Sequence, residues 1–90
     1  MLFLSNEQID VFLADGLYLK RGREFNVVRC QLGPTSIVIK RALDAGPATS
    51  RLIVEFERLN LLSTVSPVYR DALVSPIAAG FHRHHFYYVQ

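Results

Sequence analysis

Ninety residues, half of them apolar and a fifth charged, exclude a disordered tail and allow one small domain with a modest core. The net charge is +2, and the ten basic residues are spread out apart from Lys20, Arg21 and Arg23, which argues against a nucleic-acid-binding surface. A lone cysteine, Cys30, rules out an internal disulfide, and no apolar run is long enough for a membrane span.

The opening MLFLSNEQ lacks the basic start and the apolar stretch of a signal peptide, so a cytoplasmic protein is expected. The first predicted element is a short amphipathic helix over residues 6–15. Ser5 and Gln8 form a capping box, Ile9, Phe12 and Leu13 share one stripe, and Gly16 suits the position just past the end. Three strands follow, Leu17 to Arg21, Phe25 to Gln31 and Ser36 to Leu43, with turns around Gly22 and at Gly33-Pro34. Connections this short imply an antiparallel meander.

Pro47 suits the first position of a helix, and Leu52, Phe56, Leu59 and Leu62 recur at three- and four-residue steps, which predicts a long helix over 48–63. Beyond a loop, ALVSPIAAGF and HFYYVQ read as two more strands joined by a polar turn at His82 to His84. Pro76 inside the first of these requires an edge position or a bulge. The expected fold is α+β: one domain over residues 1–90, with a short N-terminal helix followed by a five-stranded antiparallel sheet whose face is covered by the long helix. His82, His84 and His85 read as a solvated turn rather than a metal site, because no carboxylate or thiol is near them in sequence. No metal ligand is assigned, and Cys30 reads as a small strand residue.

Two charges break this pattern. In Ile37-Val38-Ile39-Lys40 side chains alternate, so Lys40 shares a face with Val38. Either Lys40 snorkels to solvent at a strand end or an anion meets it. On the long helix, Glu55 lies about 40° from Leu59, about 20° from Leu62 and about 60° from Leu52, within the apolar stripe, whereas Glu57 faces outward. Glu55 can be satisfied by Arg51 or Arg58 on its own helix, or by Lys40 across the fold; pairing the two misplaced charges accounts for both.

IVIK at 37–40, EFERLNLL at 55–62 and VSPIAAGFHRHHFYYVQ at 74–90 resemble, in that order, the V-A-I-K strand, the C-helix and the next two strands of a protein-kinase N-lobe of the serine/threonine type. The likeness spans residues 17–90. It implies that Lys40 contacts the α- and β-phosphates of ATP and that Glu55 orients Lys40. It also implies that Val38 and Val28 pack on the adenine from opposite sides. The glycine-rich loop aligns with RGREFNVV at 21–28, where Gly22 and Phe25 are candidate nucleotide contacts, but Arg21, Arg23 and Asn26 stand where glycines are expected. A shifted alignment puts Gly22 on the middle glycine and loses the match at Phe25.

The resemblance further implies that the catalytic aspartate, the asparagine and the magnesium-binding D-F-G belong to a C-lobe that these 90 residues lack, so magnesium acts only in an intact kinase and this chain is not expected to transfer phosphate alone. HRH at 82–84 has no aspartate and is not the catalytic loop. The expected partner is that C-lobe or another protein, with no nucleic acid and no membrane. A homodimer of the lobe could use an apolar lower edge near Leu62, Val65 and Tyr87. The alternative to an ATP-binding lobe is a pseudokinase-like regulatory or protein-interaction module with weak or no nucleotide binding, which the missing glycines favour.

Overall fold

In the computed structural model, which describes residues 4–65 and 76–90, the chain runs α1 (Asn6–Asp15), β1 (Leu17–Arg21), β2 (Phe25–Leu32), β3 (Thr35–Ala42), α2 (Pro47–Val65), β4 (Ala78–His82) and β5 (His85–Val89). The strands form one antiparallel sheet in the order β1-β2-β3-β5-β4. The fold is therefore α+β, with β3 at the centre. Residues 72–75 of the expected fourth strand lie outside the described residues. The described strand starts at Ala78, two residues after Pro76, and occupies a sheet edge, where a missing backbone donor is tolerated.

Local chemistry sets the ends of the elements. At the start of α1 the Gln8 amide donates to Ser5 Oγ (3.1 Å) and the Ser5 amide donates to Gln8 Oε1 (2.9 Å), closing the capping box. Gly16 follows the helix with φ −71°, a value any residue adopts; what the site requires is space, because a Cβ there would stand 2.4 Å from Val28 Cγ1. Gly33 opens the two-residue β2–β3 turn at φ +61°, as a type II′ turn demands. The β4–β5 turn is also two residues, with Arg83 (φ 49°) and His84 (φ 72°) both in the left-handed region of a type I′ turn. At α2, Asp44 Oδ1 accepts from the amides of Gly46 (2.9 Å) and Ala48 (3.1 Å) and so caps the helix.

Both faces of the sheet are covered, one by each helix. Ile37 and Ile39 of β3 join Val28, Cys30, Tyr87 and Val89 beneath Ile9, Phe12 and Leu13 of α1. Ala42, Phe86 and Tyr88 face the other way and pack with Ala48, Leu52, Phe56 and Leu59 of α2. The buried Thr49 hydroxyl accepts from the Phe86 amide at 3.1 Å, tying the first turn of α2 to β5. Burial of Tyr87 (4 % exposed) in the α1-side core corrects the expectation that it forms an apolar lower edge. Alternation along β5 is the reason: Tyr87 and Tyr88 must point to opposite faces.

Candidate functional site

The site grows from three adjacent strands. Lys40 pairs in register with Val27 of β2 on one side and with Tyr88 of β5 on the other, so all three side chains project to the α2 face. Glu55, reaching down from α2, meets them there. Lys40 Nζ donates to Glu55 Oε1 at 2.9 Å and lies 2.8 Å from Oε2. The Tyr88 hydroxyl donates to Oε2 at 2.6 Å. The Phe25 ring, whose centroid is 5.0 Å from Lys40 Nζ, adds a cation–π contact. Glu55 therefore does not rely on its own helix: Arg51 pairs with Glu24, and Arg58 makes no ion pair among the described residues.

The pair stands at the margin of the core, with the Lys40 side chain 25 % exposed and that of Glu55 40 % exposed. Burial pushes the Glu55 carboxyl up, but the bonds from Lys40 and Tyr88 and the Lys40 charge outweigh it, leaving the group below the ordinary carboxylate value. Burial, and then the carboxylate beside it, push the Tyr88 hydroxyl well above the usual tyrosine range, so it stays a donor. Beside the pair, Phe25, Val54 and Leu59 wall an open groove of about 550 Å³ whose rim carries Arg51 and Arg58. Glu55 lines the groove and Lys40 stands beside it, so the cations able to attract an anion are the partly exposed Lys40 ammonium, which the carboxylate fixes, and the arginines of the groove.

Of the residues singled out in the sequence, Lys40, Glu55 and Phe25 converge, and Val38 shares the Lys40 face, half-buried. Val28 does not join them. It pairs with Ile39, points to the α1 side and is fully buried there. The valine on the Lys40 face is Val27, one residue earlier, which is the register in which Gly22 takes the middle-glycine position. The Gly22 amide is already engaged, donating to the Phe25 carbonyl at 2.9 Å.

Two groupings were missed. The sequence marks Tyr88 only as one residue of the last strand, because Phe86, Tyr87, Tyr88 and Val89 are apolar at every position and their periodicity reveals no face. On the opposite side, His82 is not in a solvated turn but ends β4, with its side chain 3 % exposed. Arg41 Nε donates to His82 Nδ1 at 2.9 Å, and His82 Nε2 lies 2.7 Å from Asp10 Oδ1, which also pairs with Arg83. An acceptor at Nδ1 puts the ring hydrogen on Nε2, facing Asp10. A signal for this grouping existed in Arg41, the second of two consecutive cations at the end of β3, whose face is opposite that of Lys40. His84 is exposed, and His85 Nδ1 lies 2.9 Å from the Ala42 carbonyl oxygen, so the three histidines do not converge. No protein-family model, curated protein or solved structure matches this chain.

Proposed function

We propose that this chain is an ATP-binding N-lobe of the serine/threonine protein-kinase type, in which Lys40 orients the nucleotide phosphates and Glu55 orients Lys40. The observation that carries the reading is the contact of Lys40 Nζ with both carboxylate oxygens of Glu55, at 2.9 and 2.8 Å, from the central strand to the long helix. A half-buried ion pair adds little to stability, whereas a fixed cation at the mouth of an apolar face suits a polyphosphate. The residues present fit the nucleotide in part. Lys40 is partly exposed and Val27 and Val38 share its face, which suits phosphate and base respectively. The β1–β2 turn fits less well, since its glycine amide is bonded within the turn. Magnesium, as in intact kinases, would need carboxylates beyond these: Glu55 is committed to Lys40 and Tyr88.

That same turn favours the second reading, a pseudokinase-like regulatory module that binds through its surface. Thermal melting of the 90-residue protein with ATP and magnesium separates the two. An ATP-binding lobe gains stability by mass action, by about 2.7 kcal/mol at a hundredfold excess over Kd. The gain should vanish in Lys40→Met. No rise at millimolar nucleotide would discard the first reading in favour of the second.

A further inference from the structure

Lys40 and Tyr88 are directly opposed across β3 and β5, and both donate to the same carboxylate. An ammonium that turns toward a phosphate must give up part of its hold on Glu55, and a carboxylate held by nothing else would then be free to leave. Here a second donor is fixed to the sheet. The Tyr88 ring is 3 % exposed and packs at 5.9 Å between centroids against Phe56, one residue along α2 from Glu55. Its hydroxyl meets Oε2 at 2.6 Å, a length typical of a bond from a neutral hydroxyl to a charged carboxylate.

We propose that Tyr88 is a positioning residue, which keeps Glu55 and the α2 turn that bears it in place while Lys40 divides its donors between Glu55 and an incoming phosphate. The inference rests on the nucleotide-binding reading and adds to it a positioning device: the helix carboxylate is seated before any ligand arrives and is held by Tyr88 as well as by Lys40. Removing the hydroxyl frees one lone pair of Oε2 and leaves Lys40 as the one anchor among the described residues. The core loses no ring, because phenylalanine fills the same space beside Phe56.

The test uses Tyr88→Phe in the whole chain, with the Glu55 side-chain carboxyl followed by carbon-detected NMR during a pH titration without nucleotide. The carboxyl should titrate about one pH unit higher than in the unaltered protein, the size expected for loss of one charge-assisted bond. An unchanged titration would overturn the assignment. A second arm measures the Kd for ATP with magnesium, which should rise about tenfold in the variant. A shifted carboxyl with an unchanged Kd would show that Tyr88 seats Glu55 without serving the site, and would also overturn it. If the unaltered protein binds no ATP, the kinase reading fails and the ligand-linked role of Tyr88 fails with it, while the carboxyl titration still decides whether the anchor exists. Should Tyr88→Phe not fold, the unaltered protein supplies the readout, because a hydroxyl proton held in this bond gives a slowly exchanging, low-field resonance whose absence would refute the contact.

Discussion

Lys40 and Arg41 are consecutive residues on one strand, and the two faces of the sheet treat them differently. On the α2 face Lys40 meets its carboxylate directly and remains a quarter exposed. On the α1 face hydrogen bonds link the Arg41 guanidinium to Asp10 through His82, whose side chain is almost wholly enclosed. The α1 side is a chain of bonded groups, enclosed at His82 and open to solvent at Asp10 and Arg83, that fastens a helix to the β4–β5 hairpin. The α2 side leaves an ammonium open to an approaching anion. A polar chain whose central member is enclosed and bonded through both ring nitrogens rigidifies a fold, while a half-open pair keeps a donor in reserve. On the proposed reading, one of two consecutive charges serves the fold and the other a ligand.

The largest effects should come from the apolar layers on which both groupings stand. Ile39 and Leu52 are fully buried, one on each face, and truncating either to alanine should cost about 2–5 kcal/mol. Melting temperatures should fall by about 10 °C or more. Equal losses would show that the faces differ in their charges and not in their packing; a negligible loss at Leu52 would mean that α2 is loosely seated, and the Lys40 site with it.

Next in size is the charge grouping itself. His82→Leu keeps volume but strips Arg41 of its acceptor and Asp10 of a donor. Arg41 is half-buried and loses its one hydrogen-bond acceptor among the described residues, so the change should cost about 1–2 kcal/mol in chemical denaturation. His82→Gln, which can offer both an acceptor and a donor, should recover part of the loss. Lys40→Met should cost under about 1 kcal/mol because the pair is partly solvated, yet abolish any ATP-dependent rise in melting temperature. If Lys40→Met destabilises as much as His82→Leu, the α2-side pair is structural and the contrast collapses.

How much of this could be read from the residues depends on which physical signal each feature leaves. The capping box at Ser5, the helical steps from Leu52 to Leu62 and the β-branched run of β3 are local patterns, and the elements they predict form within two residues of the expected bounds. Lys40 and Glu55 stood out because each violated an otherwise apolar pattern, and two violations of opposite sign suggest a pair. Register leaves no such mark. Whether Val27 or Val28 faces Lys40 depends on how β2 and β3 align, and two adjacent valines satisfy either choice. His82 was misread because polar residues around a turn look alike whether or not a helix 72 residues earlier in sequence covers one of them. The seat of α1 on the back of the sheet was likewise undetermined: its stripe announced a buried face but not the surface that would bury it.

The smallest effect concerns acid sensitivity, and it isolates the α1 side. The bonds from Arg83 and His82 hold the Asp10 carboxyl well below its ordinary 3.8, at about 2. A carboxyl depressed by folding contributes stability that is fully present above the unfolded value and is lost as pH falls from 3.8 through about 2. Asp10→Asn removes that contribution. The variant should melt below the unaltered protein near neutrality, and the two curves should converge as the pH approaches about 2. Glu55 is depressed as well, so some acid sensitivity survives in the variant and belongs to the α2 side. Because the partners of Asp10 among the described residues, His82 and Arg83, lie away from the α2 side, the response to ATP should be unchanged in the variant at neutral pH. Melting curves that coincide from neutrality down to pH 2 would show that Asp10 does not bear on the fold, and a lost ATP response would show that the two faces are coupled through β3 instead of working independently.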